Sequence, residues 1–261
     1  MPSFRIHRVV PLSALLFLSA CTAGQPEDGS TAAPHTPPPA TSPATATTST
    51  APSARPSPDA RELARLNARL QQAAANNDAA EIKQLLARGA DLEFRDGNGR
   101  TPLVTATKAN NMEAARVLIE AGADVNAKDN IEDSAFLYAG AEGFDEILLL
   151  TLQHGADLDS TNRFGGTALI PACEHAHTST VRILLEAGVD PDHVNEPGWT
   201  CLLEAVIFGT GGPDYQDVVR QLIAAGADLN IPDTNGVTAR QHAEALGQQE
   251  IAGLLARAGA R

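Results

Sequence analysis

Lysine is nearly missing from this chain: three residues, at 83, 108 and 128, stand against 32 acidic side chains in 261 positions. The formal net charge is −13, and it becomes −15 once the first twenty residues, with Arg5 and Arg8 and no acid, are set aside. So acidic a body repels phosphate backbones and anionic headgroups, which excludes nucleic-acid binding and adsorption to a charged bilayer. A partner protein that is basic or neutral, and not acidic, suits it. Cysteine is as scarce, with three residues in all, too few for a scaffold built on disulfides. No apolar run approaches the roughly 20 residues that cross a bilayer as a helix. Catalytic motifs are missing too: there is no Gly-x-Ser-x-Gly elbow, no His-Glu-x-x-His helix, no phosphate loop and no paired-carboxylate pattern. Gly165-Gly166 and Gly209-Thr210-Gly211-Gly212 are glycine-rich, but the first falls at a turn and the second at an insertion. Catalysis needs converging groups, so neither an enzyme nor a cofactor is expected.

What is present divides into three regions. Residues 1–20 place Arg5, His7 and Arg8 before the apolar stretch from Val9 to Leu18 and end in small residues, the pattern of an export signal. The segment closes on Leu18-Ser19-Ala20-Cys21, which resembles the lipobox of bacterial lipoproteins. The resemblance implies cleavage before Cys21, lipidation of that cysteine and anchoring to a membrane on the periplasmic or outer side of the cell, since two or three acyl chains hold far better than one. The other reading is a plain secretory signal with an incidental cysteine. Residues 21–58 are dominated by Pro, Thr, Ala and Ser, with too little apolar surface to offset chain entropy, and are expected to form a disordered tether.

Residues 59–261 are periodic. The glycine of Gly-Ala-Asp or a close variant recurs at Gly89, Gly122, Gly155, Gly188, Gly226 and Gly259, with spacings of 33, 33, 33, 38 and 33. A helix-opening hydroxyl recurs at Thr101, Ser134, Thr167, Thr200 and Thr238 with the same rhythm and the same exception. Apolar residues sit three, four and seven places before the glycine in units one, two, four and five, as in Ala115, Leu118 and Ile119. That is one face of a helix, and the glycine supplies the left-handed residue that ends it.

The phrases Asp96-Gly97-Asn98-Gly99-Arg100-Thr101-Pro102-Leu103 and Glu120-Ala121-Gly122-Ala123-Asp124-Val125-Asn126-Ala127 resemble the ankyrin consensus. The resemblance implies an all-α solenoid of about six helix-pair units with β-hairpin fingers, preceded by the disordered linker. No unit can bury its apolar flank alone, so neighbours supply the core. Two departures stand out. The histidine usual in the helix-opening motif is Val104, Leu137, Ile170, Leu203 and Gln241, so apolar packing is expected to replace its hydrogen bonds. Glu132 occupies a finger position that normally needs glycine.

The family resemblance implies that partners dock on the concave side, against finger tips and exposed faces of the inner helices. In units three to five those positions are Ile131, Asp133, Arg163, Phe164 and Trp199 on fingers, and Tyr138, Glu174, His175, Glu204, Ile207 and Phe208 on inner helices. Seven of the eight aromatic residues beyond the signal lie between Phe136 and Tyr215, and clustered aromatics carry binding energy when exposed; alternatively these rings pack between fingers and stiffen them. The 38-residue unit inserts five residues near Phe208 and extends the same region. Cys173, His175 and His177 lie close in sequence, yet residues two apart on a helix face different ways, so no metal site is expected. Helix spacing and offset also separate Cys173 from Cys201 beyond bridging distance, which leaves two buried free thiols. The reading is a monomeric, lipid-anchored module that binds another protein. An inhibitor or scaffold for a toxin or neighbouring envelope enzyme, and a small-ligand or metal binder near His175, are the alternatives.

Overall fold

Six pairs of antiparallel helices account for the 33-residue rhythm. A computed structural model describes residues 59–261; the expected signal at 1–20, the lipidation expected at Cys21 and the expected tether at 21–58 lie outside the described residues. The pairs are α1 (Ala60–Ala75) with α2 (Ala79–Ala87), α3 (Pro102–Lys108) with α4 (Met112–Glu120), and α5 (Ala135–Glu142) with α6 (Asp145–Gln153). They continue with α7 (Leu169–Glu174) and α8 (Thr178–Ala187), α9 (Cys201–Ile207) and α10 (Pro213–Ala225), and α11 (Ala239–Ala245) and α12 (Gln249–Arg257). The odd-numbered helices pack in sequence on one another, and so do the even-numbered ones. Among the described residues no helix is long and apolar enough to cross a membrane.

The second unit shows why these residues fold this way. Thr101 Oγ1 accepts the Val104 N–H at 3.2 Å and Pro102 fills the first turn, so α3 starts with one orphan amide satisfied and a preset φ. Helix α4 buries Ala115, Leu118 and Ile119. Gly122 at φ +94° then stops it, and the Ala123 N–H reaches back to the Leu118 carbonyl at 3.0 Å. Adjacent units also cap each other. Asn111 Nδ2 donates to the carbonyls of Ala74 and Ala75 at 2.9 and 2.8 Å, and Asn77 Oδ1 accepts the Ala114 N–H at 2.8 Å. Free helix-end groups of one unit are thereby satisfied by the next.

Four of the five helix-opening hydroxyls cap their helix: Thr101, Ser134, Thr200 and Thr238. Thr167 does not, and its Oγ1 is buried without a partner. Pro171, four residues on, has no N–H to close the first turn of α7 on Thr167, which starts instead from Ala168. Where the family histidine is missing, Val104, Leu137, Ile170 and Leu203 are all buried, so apolar packing does take its place in four units.

The fingers are tight turns, and no described residue lies in a strand. Each is closed across four residues, as by the Asp96 N–H to the Arg100 carbonyl at 3.1 Å and the Asn195 N–H to the Trp199 carbonyl at 3.0 Å. Glu132 takes the left-handed conformation of the finger glycines at φ +65° and keeps the turn, its N–H on the Asp129 carbonyl at 3.0 Å. The third finger therefore has the shape of its neighbours and holds it with a strained side-chain residue.

Candidate functional site

The inner helices and fingers of units three to five enclose a groove of about 380 Å³. Nine of the eleven residues read from the sequence line it: Asp133, Tyr138, Arg163, Phe164, Glu174, His175, Trp199, Glu204 and Phe208. Ile131 stands exposed on its finger outside the groove, and Ile207 packs partly buried against the core. The aromatic walls combine exposure with mutual support. Phe164 and Phe208 are 52% and 48% exposed, while half-buried Trp199 meets the edge of Phe208 with centroids 5.3 Å apart. Tyr138 is half-buried and carries Lys108 over its ring at 4.5 Å. The rings thus line the groove, and exposure coexists there with packing of Trp199 on Phe208.

Two residues expected on the exposed face are buried. Asp133 is 9% exposed because Lys108, from the preceding unit, pairs with it at 2.5 Å, with Arg163 a further 3.7 Å away. Glu204 is 6% exposed, and its Oε1 accepts the Asn195 side-chain amide at 2.8 Å. Among the described residues no donor reaches its other oxygen. Burial pushes the Glu204 carboxyl up to about 7 and the Glu174 charge adds to the rise, against smaller opposing effects of Asn195 and His175.

Asn195 and Asn162 are residues that sequence reasoning missed. Both share a finger position with Asp96, Asp129 and Asp233, spaced by the same 33, 33, 33 and 38 residues. At each position the side-chain oxygen folds the finger; Asn162 Oδ1 accepts the N–H groups of Phe164 and Gly166 at 2.9 and 3.1 Å. The asparagine at 195 has a free NH2 as well, which an aspartate lacks, and that group donates to Glu204. In the last unit the equivalent pair is Asp233 with His242 at 2.9 Å. The period was the signal available: an amide in place of a carboxylate in two successive fingers.

The match to known proteins covers this architecture. A family model described as ankyrin repeats (3 copies) matches residues 70–162 and 136–233. The chain belongs to the ankyrin repeat family. It is 56% identical to an ankyrin repeat domain from Acinetobacter baumannii AYE, known from a crystal structure, over 74% of this chain and 98% of that one, with a TM-score of 0.73. It is 43% identical to the ankyrin repeat protein EF0377, also a crystal structure, over 72% of this chain and 96% of that one, with a TM-score of 0.70. No functionally curated protein is significantly similar in sequence. An ankyrin repeat domain is generally a protein-interaction module.

The ankyrin stacking corrects one expectation outright. Cys173 and Cys201 are joined by a disulfide, with Cα atoms 5.5 Å apart, and are not free thiols. The error lay in treating the inner helices as level cylinders 8–10 Å apart. The units settle on one another so that the C-terminal half of α7 meets the start of α9. One unit earlier, the equivalent positions are Gly140 and Ala168, where a Cβ added to the glycine would fall 2.8 Å from Ala168 Cβ. Small residues at this crossing let backbones approach closely, and two cysteines there fall within bridging range.

The histidines also differ from the one-helix picture. Helix α7 ends at Glu174, Ala176 turns the chain at φ +53°, and His177 begins α8. The rings of His175 and His177 consequently meet edge to face at 5.6 Å instead of pointing apart. His175 Nδ1 lies 3.2 Å from the Ala141 carbonyl. Burial holds the His177 imidazole below its usual range, and neighbouring His175 adds to the fall.

Proposed function

We propose that this ankyrin domain captures another protein through the groove face of units three to five, held at the bacterial envelope by a lipid on Cys21. The carrying observation is the groove itself: exposed Phe164 and Phe208 and half-buried Trp199 form an aromatic patch beside Glu142, Glu174 and Glu204, which have no ion-pair partner among the described residues. Large apolar groups in one exposed cluster mark interaction surfaces, and tryptophan is a frequent hot spot. The Cys173–Cys201 bridge supports an exported location, because such bonds persist outside the reducing cytosol. A tether with the Pro-, Thr-, Ala- and Ser-rich composition of residues 21–58 would give the stack room to reach a partner standing off the membrane.

Two measurements test this reading. Trp199→Ala with Phe164→Ala is expected to abolish co-purification of the partner from solubilised membranes, with a loss on the order of 2 kcal/mol in binding and unchanged thermal unfolding. Retained capture refutes the surface. Cys21→Ser is expected to move the protein from the membrane fraction to the soluble one, and continued membrane association refutes the anchor.

A further inference from the structure

The groove has an unbalanced charge pattern. Four carboxylates line it, on Asp133, Glu142, Glu174 and Glu204, against one guanidinium, on Arg163. Asp133 is already committed to Lys108 and Arg163. Among the described residues, none of Glu142, Glu174 and Glu204 has an ion-pair partner. Glu204 is the telling member, since it is 6% exposed and one of its oxygens has no donor. Glu204 lines the groove, so this oxygen is open to a donor that enters it. Trp199, Phe208 and Phe164 line the same groove. Aromatic faces attract cations and carboxylates pair with them, so one group gains from both walls.

We infer that the groove is a socket for an arginine side chain of the captured protein, its guanidinium held by Glu204 and Glu174 and flanked by Trp199 and Phe208. The assignment rests on the reading of this face as the protein-binding surface and adds the chemistry of what enters it. A guanidinium is preferred to an ammonium because it is planar, forks onto carboxylates and stacks on aromatic rings, with a smaller hydration cost. The socket is also selective in the other direction. An acidic or neutral polar side chain would leave the Glu204 and Glu174 charges facing it unpaired.

The charged groups that act on Glu204 are Glu174, the last residue of α7, and His175 just after it; α10 and α11, also packed on α9, bring none. Rising pH ionises Glu204, and that change favours a bound cation. Occupancy is therefore expected to tighten by about tenfold between pH 6 and pH 8, given a carboxyl near 7.

Trp199 is the one tryptophan of the chain, so its fluorescence reports the socket directly. The full-length protein, in detergent, is titrated with short capped peptides carrying a central arginine, lysine, citrulline or aspartate. A saturable change with the arginine peptide is expected, at least tenfold weaker with citrulline, which keeps the shape and loses the charge. Glu204→Gln is expected to remove that preference and flatten the pH dependence while leaving far-UV circular dichroism unchanged. Equal response to arginine and citrulline, or an unaltered Glu204→Gln titration, overturns the inference. If arginine peptides fail while the Trp199 and Phe164 double variant still loses its captured protein, the binding face stands and the guanidinium assignment falls. If that variant keeps its partner, both fall.

Discussion

Reducing the Cys173–Cys201 bridge is expected to weaken the middle of the stack far more than its ends. The bond closes a loop of sequence separation 28, which in the chain-entropy account contributes about 3.5 kcal/mol at 25 °C by restricting the unfolded chain. Both residues are essentially inaccessible, at 0% and 1% exposure, so reduction leaves two thiols in the same packed space and opens no cavity. The loss is thus the loop entropy itself. With an unfolding slope of about 2–3 kcal/mol per M, the urea midpoint is expected to fall by about 1–2 M in thiol reductant. A Cys173→Ala variant, followed with and without reductant, supplies the control and should show no dependence on it. The bridge ties α7 to α9, the helices that carry Glu174, His175, Glu204 and Phe208. Stability in a repeat stack is roughly a sum of unit and neighbour contributions. Trp199 fluorescence, which sees unit five, is therefore expected to move to lower urea before the far-UV signal of the whole domain. A reductant effect below about 1 kcal/mol, or a uniform loss across all six units, refutes the reasoning.

Two further predictions concern the groove. Glu204 holds its proton more tightly folded than unfolded, so its contribution to stability is complete below about pH 4.5 and is lost as pH rises through about 7. That gap corresponds to at most about 3 kcal/mol, and Glu204→Gln, which keeps an oxygen for Asn195, is expected to be more stable than the parent at pH 8 and equal to it at pH 4; parallel stability profiles from pH 4 to 8 would count against a perturbed carboxyl. Glu132→Gly is expected to gain about 1 kcal/mol by relieving the left-handed residue, measured as a raised urea midpoint, whereas an unchanged or lowered midpoint would show that the Glu132 side chain offsets its strain.

Much of this protein is legible in one dimension because its order is local. The 33-residue period, the six helix pairs, the hydroxyl at four helix starts and the glycine at each second-helix end all follow from residues a few places apart, whose relations are set by helix geometry. The groove region was legible for the same reason, since a solenoid brings equivalent positions of successive units side by side. What remained for the tertiary structure was how one unit settles on the next. That arrangement is fixed by small side chains at the crossing, Gly140 on Ala168 and Cys173 on Cys201, and it turned two supposed thiols into a bridge. It likewise buried Asp133 under Lys108, 25 residues away in the preceding unit, whereas Glu204 is seated against an asparagine of its own finger. A sequence fixes which face a side chain takes, but solvent exposure and charge depend on the neighbour that arrives there, and the neighbours of Asp133 and Cys173 come from different units.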